Sequence, residues 1–118
     1  MNKHLILLLA LCAPFANADK ADVVGVEVRC EGDCRFDVSL RHADSGWDHY
    51  ADRWDVVAPD GRVLATRVLY HPHVNEQPFT RSLSGVDIPA AIDHVIIRGR
   101  DSVHGYGGLE QRVDLPAR

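Results

Sequence analysis

The sequence predicts an all-β fold. Apolar and polar residues alternate with a period of two in several stretches, as along Val24, Val26 and Val28. No window places apolar residues at helical spacing over three turns. Residues that favour turns, chiefly glycine, proline and aspartate, separate the alternating stretches. The pattern therefore favours antiparallel strands that bury one face and expose the other.

Seven stretches carry the strand pattern, each followed by a turn signal. In chain order they are residues 24–30, 36–40, 53–56, 62–70, 79–86, 95–97 and 109–115. The turn at Pro59-Asp60-Gly61 is well defined, because Pro has a fixed φ and Gly tolerates a positive one. Trp54 lies mid-strand, so we expect it in the core. The spacing predicts a single immunoglobulin/fibronectin type III-like sandwich of about seven antiparallel strands.

Residues 1–18 have the pattern of a cleaved secretory signal peptide. An apolar run from Leu5 to Leu11 precedes Ala16-Asn17-Ala18, which is a small-x-small cleavage site. The run is far shorter than the roughly 20 residues that span a bilayer, so we expect no stable membrane insertion after cleavage. We do not expect lipid modification of Cys12, because the residue before it is a large leucine. The mature domain, residues 19–118, is therefore predicted to be periplasmic or secreted.

Charge and cysteine content narrow the functions of the mature domain. Loss of Lys3 leaves 12 of the 13 basic residues against 17 acidic ones, a formal charge of −5. The basic residues form no cluster, so nucleic acid is not an expected partner. Two cysteines remain, Cys30 and Cys34, and an even count in a secreted domain favours a disulfide that closes a short hairpin. A thiolate metal site is the less favoured alternative, since it requires other spacings.

Strand polarity brings most of the histidines to one end of the predicted sandwich. Successive strands joined by short loops run in opposite directions, so every second loop lies at the same end. The loops at residues 43–49, 71–77 and 101–108 are thereby predicted to lie opposite the cysteine hairpin. Of the six histidines in the mature chain, only His94 starts at the hairpin end. The others are His42, His49, His71, His73 and His104.

The His71-Pro72-His73 segment is the strongest local signal for a metal site. Histidines at i and i+2 of an extended chain point to the same side, and Pro72 stiffens the pair. We predict a site for Zn²⁺ or Cu²⁺, because the mature chain has no methionine and no free thiol for a softer ion. The predicted ligands are His71, His73, Glu76, His104 and His49. The alternative is that these histidines are polar loop residues that form hydrogen bonds with turns and carboxylates.

Other residues at the same end favour different roles. His42 keeps the inward parity of the second strand, so we expect a hydrogen-bonded histidine at the edge of the core. A second hypothesis is a metal-free module that binds an envelope protein or a glycan. Its binding residues would be Trp47, Tyr50, Tyr106 and Arg81. We predict no enzyme, because Asp101, Ser102 and His104 are sequence neighbours, which rarely form a catalytic triad.

Three blocks of sequence resemble a family of small secreted bacterial proteins whose function is uncharacterised. The blocks are W-D-H-Y at residues 47–50 with its extension to 54, H-P-H-V-x-E-Q-P-F-T-R-S-L at residues 71–83, and D-S-V-H-G-Y-G-G at residues 101–108. They cover about a third of the mature chain. The resemblance implies a small secreted β-domain and brings no activity to any residue.

Overall fold

The computed structural model describes residues 19–118 and confirms the all-β prediction. The predicted signal peptide, residues 1–18 with Cys12 and the cleavage site, lies outside the described residues. The seven strands are β1 Asp22–Glu31, β2 Asp33–Arg41, β3 Ala51–Val57, β4 Val63–Val68, β5 Phe79–Val86, β6 His94–Asp101 and β7 Gln111–Asp114. Within residues 19–118 we find no helix with the length and apolarity that crossing a bilayer requires.

The strands form two antiparallel sheets that pack as a sandwich. One sheet has the order β1-β2-β5 and the other the order β4-β3-β6-β7. Strand β4 pairs with β3, as the additional C′ strand pairs in variable-type immunoglobulin domains. Strand β7 begins two residues later than predicted, because Leu109 accepts a hydrogen bond from Val23 of the other sheet, N to O 2.9 Å.

The core lies between the sheets and is built from alternate residues of the central strands. Its largest fully buried side chains include Trp54, Phe36, Phe79, Leu40 and Ile97. Burial alternates along β2, and His42 continues the inward row one step beyond the end of that strand. His42 is only 2% exposed, so the expected position at the edge of the core is confirmed.

The ends of the sandwich differ in what they carry. Cys30 and Cys34 face each other across the β1–β2 turn and form the predicted disulfide. At the opposite end, the loops after β2, β4 and β6 contact one another through Asp44 and Asp101. Gly108 belongs to this end, and a Cβ there would lie 2.0 Å from the carbonyl oxygen of Ala21. The chain before β1 therefore packs directly on the β6–β7 loop.

Candidate metal centre

The buried carboxylate of Asp101 is the centre of the histidine-rich end. Asp101 is the last residue of β6 and is 0% exposed. Its Oδ1 accepts hydrogen bonds from the backbone amides of Val103, at 2.8 Å, and His104, at 2.5 Å. This arrangement is an aspartate turn, in which the side chain takes the place of a backbone acceptor. Because Oδ1 is occupied by the loop, Oδ2 is the oxygen that faces the rest of the site.

Three imidazole rings from two loops surround Oδ2 of Asp101. The distances to this oxygen are 3.2 Å from Nε2 of His42, 3.4 Å from Nε2 of His49 and 3.1 Å from Nδ1 of His104. Ring centroids lie 4.8 Å apart for His42 and His49, and 4.9 Å apart for His49 and His104. In the described part of the chain, one group has three potential metal-ligand atoms all within 4.8 Å of one another. Its members are His42, His49 and Asp101.

The surroundings of Asp101 keep its carboxylate ionised. Burial by itself would raise the pKa of Asp101. The backbone amides of His104 and Val103 and the rings of His104 and His49 outweigh burial and lower that pKa to about 2. An ionised carboxylate only accepts hydrogen bonds, so it attracts either ring N–H groups or a cation. The site therefore places a negative charge beside three imidazole rings.

Asp44 forms a second layer behind His42. Its Oδ1 lies 2.5 Å from Nδ1 of His42 and accepts a hydrogen bond from the amide of Ala51 at 3.0 Å. Its Oδ2 accepts a hydrogen bond from the amide of His73 at 2.7 Å. A metal-binding histidine commonly donates its second ring nitrogen to a carboxylate in this way, which sets the tautomer and the ring orientation. The arrangement leaves Nε2 of His42 turned toward Asp101.

The structure divides the predicted ligand set into two groups. His49 and His104 lie at Asp101, whereas the rings of His71 and His73 lie together with centroids 4.8 Å apart. His73 is 6% exposed and stacks on Phe79, with centroids 4.0 Å apart and an interplanar angle of 12°. The His-Pro-His pair thus contacts the start of β5 and reaches Asp101 only through Asp44.

Arg81 occupies the Nε2 nitrogen of His73. Arg81 lies on the inward row of β5 and donates from Nη2 to Nε2 of His73 at 2.9 Å. It also contacts Glu76 at 3.3 Å, so that predicted ligand is paired with a cation. Burial is the main factor that lowers the pKa of His73, and the charges of Arg81 and His71 lower it further. A cation placed beside His73 would face this guanidinium.

The residues predicted for partner binding are also separated. Trp47 is 67% exposed and packs edge-on against Tyr50, with centroids 5.6 Å apart. Tyr106 instead lies under the guanidinium of Arg98, 4.0 Å from the ring centroid. Its hydroxyl donates to Asp55 at 2.7 Å and accepts from Arg53 at 3.2 Å. Tyr106 therefore attaches the β6–β7 loop to the outer face of the four-stranded sheet.

Sequence reasoning missed His42, Asp44 and Asp101 as members of the site. His42 was assigned to the core edge by its parity, which is correct but does not exclude a ligand role. Asp44 falls in the predicted loop at residues 43–49, and Asp101 was considered as a residue at the same end and as a neighbour of Ser102 and His104 but not as a ligand, although each carries a local signal. Asp44 follows His42 at i+2, and Asp101 ends a strand three residues before His104. An aspartate at a strand end favours a turn of this kind, and the histidine three residues on then lies close to its carboxylate.

Comparison with known proteins gives one informative similarity. A protein of Halomicrobium mukohataei named "Putative lipoprotein" is 41% identical over 97 residues, which are 80% of this chain and 47% of that protein. The chain therefore spans about half the length of this curated relative. The printed name assigns no activity, in accord with the expected resemblance to proteins of uncharacterised function. No family model matches the chain. No solved structure matches it either.

Proposed function

We propose that this domain binds one divalent transition metal ion, Zn²⁺ or Cu²⁺, through His42, His49 and Asp101, with His104 as the fourth ligand. The observation that carries the proposal is the convergence of three ring nitrogens on a single oxygen of a buried carboxylate.

The distances from the three rings to Oδ2 of Asp101 are compatible with ligands of one ion, and the ligand atoms of His42, His49 and Asp101 lie within 4.8 Å of one another. Four ligands placed tetrahedrally at about 2.0–2.1 Å from zinc lie about 3.3–3.4 Å from one another. The three distances to Oδ2 are 3.1, 3.2 and 3.4 Å. Charge-assisted hydrogen bonds from nitrogen to a carboxylate are shorter, about 2.7–2.9 Å. The two ring nitrogens of His42 differ in this respect. Nδ1 lies 2.5 Å from Asp44, a hydrogen-bond distance, whereas Nε2 lies 3.2 Å from Asp101.

The chemistry of the ligands selects the class of ion. Imidazole nitrogen and carboxylate oxygen suit Zn²⁺ and Cu²⁺, whereas Cu⁺ prefers thiolate or thioether sulfur. Cys30 and Cys34 are joined in a disulfide at the opposite end of the sandwich. The side chains of His49 and His104 are 25% and 35% exposed, so the ion would enter from their side. His42 and Asp101 form the buried floor of the site.

The proposal places the protein in the cell envelope or outside the cell, where it would store, deliver or sense the ion. The predicted signal peptide supports this location, and so does the name of the Halomicrobium mukohataei relative. The proposal includes no catalytic step. The hydroxyl of Ser102, the one nucleophile noted beside His104, accepts a hydrogen bond from the amide of Tyr50 at 3.1 Å.

Isothermal titration with Zn²⁺ and with Cu²⁺ tests the proposal. We expect one ion per chain, and His49→Ala and His104→Ala should each weaken binding by at least about tenfold. The matched control is His71→Ala, which removes an exposed histidine of the same end and should bind as the parent does. Loss of binding in His71→Ala with full binding in His49→Ala would instead assign the ion to the His-Pro-His segment.

A second candidate function is a metal-free module that binds an envelope protein or a glycan. The observation in its favour is the exposure of apolar side chains on the same three loops. Trp47 is 67% exposed, Tyr70 74% and Val103 57%. Exposed aromatic residues supply much of the energy of protein and glycan contacts. Partner capture that is lost in Trp47→Ala, kept in the control Val63→Ala and unaffected by a chelator would favour this function over metal binding.

A further inference from the structure

We infer that Asp44 is the positioning residue of the metal site and that, through it, metal occupancy stabilises the loop at residues 71–77. This inference rests on the proposed function and adds regulation to it, because the loop is a surface segment that does not itself hold the ion. The contact that links the two is the Asp44 carboxylate, which touches a proposed ligand and the loop backbone at once.

Asp44 sets the orientation of the His42 ring. Its ring is 0% exposed and lies between the two carboxylates of Asp44 and Asp101. With the hydrogen on Nδ1 directed at Asp44, the lone pair of Nε2 is available to an ion that lies between His42 and Asp101. Without that acceptor the ring could turn or adopt the other tautomer, and Nε2 would no longer be a ready ligand. Asp44 thus prepares the buried floor of the site without touching the ion.

The loop at residues 71–77 is held by side-chain hydrogen bonds. Residues 71–77 belong to no strand, and the side chains of Asp44, Gln77 and Arg81 hold this segment, Arg81 through the His73 ring and Glu76. Asp44 accepts from the amide of His73 at 2.7 Å. Gln77 donates to the carbonyl oxygen of His73 at 3.0 Å and accepts from the amide of His42 at 2.9 Å. The attachments through Asp44 and Gln77 therefore lead to His42, one through its ring and one through its backbone, whereas that of Arg81 does not.

A bound ion would stabilise the loop through Asp44. An ion bound to Nε2 of His42 removes the freedom of the ring, and this fixes the carboxylate of Asp44 on its other side. The hydrogen bond from the amide of His73 to Asp44 then breaks less often. Tyr70 directly precedes the loop and Val74 lies within it, and these residues are 74% and 52% exposed. Metal occupancy would in this way order a surface with apolar side chains that a partner could contact.

Hydrogen exchange of backbone amides in the full protein, measured by NMR with and without Zn²⁺, tests the inference. We expect Zn²⁺ to slow exchange of the His73 amide by about fivefold or more, a typical size for coupling between two sites. The amide of Ile97, in the core strand β6, is the internal reference for any general change in stability. This measurement needs no variant, so it holds even if a substitution at Asp44 prevents folding.

Asp44→Asn then separates positioning from general structure. This variant keeps the size of the side chain and one acceptor oxygen but loses the charge, so we expect zinc affinity to fall about 10–100-fold. Asp37→Asn is the control, since Asp37 accepts hydrogen bonds on the outer face of the three-stranded sheet, away from the site. Wild-type protein that binds no Zn²⁺ would overturn both the proposed function and this inference. Zinc binding with unchanged His73 exchange, or with equal affinity in Asp44→Asn, would overturn the inference alone.

Discussion

The most direct test of the electrostatics around Asp101 is Asp101→Asn in metal-free protein. The asparagine keeps an oxygen that can accept from the amides of Val103 and His104, so the loop keeps its turn. What is lost is the negative charge, and asparagine presents an NH₂ group to the three imidazoles. The substitution therefore removes charge while it changes little in shape.

The magnitude follows from the pKa of Asp101, which the fold lowers from 3.8 to about 2. At 1.36 kcal/mol for each pKa unit, this corresponds to about 2 kcal/mol of stability. Because the pKa in the folded state lies below that in the unfolded state, the contribution is present in full above pH 3.8. It declines as the pH falls toward 2, where the folded protein also takes up the proton.

Urea unfolding at a series of pH values, with a chelator present, measures the effect. At pH 7 we expect the free energy of unfolding of Asp101→Asn to lie about 2 kcal/mol below that of the parent. The difference should shrink steadily below pH 4 and nearly vanish at pH 2. Asp114→Asn, at an exposed ion pair with Arg112, is the control and should change little. The reasoning would be refuted if Asp101→Asn and the parent had the same free energy of unfolding at pH 7, or if their difference did not change with pH.

Three further substitutions test the packing that surrounds the site, each by urea unfolding. Tyr106→Phe removes a hydroxyl that donates to buried Asp55 and should cost about 1–3 kcal/mol; an unchanged midpoint would contradict this. Gly108→Ala would place a Cβ 2.0 Å from the carbonyl oxygen of Ala21, so the loop must shift, at about 1–3 kcal/mol; a variant as stable as the parent would show that the approach is looser. Trp54→Ala leaves a large cavity in the core and should cost about 3–5 kcal/mol, and a loss below about 1 kcal/mol would place Trp54 outside the core.

The fold was predictable because alternation is a local signal. In β2, Phe36, Val38 and Leu40 are buried while the residues between them are more exposed, as period-two patterning requires. The disulfide was predictable for the same reason, since four positions separate its cysteines and a two-stranded turn brings them together. The ends of strands were less predictable. Leu109 follows the alternation of its stretch, yet its backbone pairs with the other sheet.

The candidate site was predictable only in part. Strand reversal correctly gathers the loops that carry His49 and His104, because antiparallel connections alternate between two ends. The local spacing of His71 and His73 suggested ligands, but spacing does not reveal what occupies each ring nitrogen. Arg81 is eight residues beyond His73, and only the pairing of β5 with β2 turns it inward to reach that ring.

The sequence by itself determined the all-β class, the burial of one face of each strand, the short disulfide and the end of the sandwich at which histidines collect. These features follow from periods of two to four residues and from strand reversal, which are properties of the chain near each residue. Only the tertiary structure decided which groups face one another. His42 and Asp101 are 59 positions apart, and His73 and Asp44 are 29 apart. Such contacts depend on how two sheets and three loops pack, and no local pattern encodes the distance between atoms of separate loops.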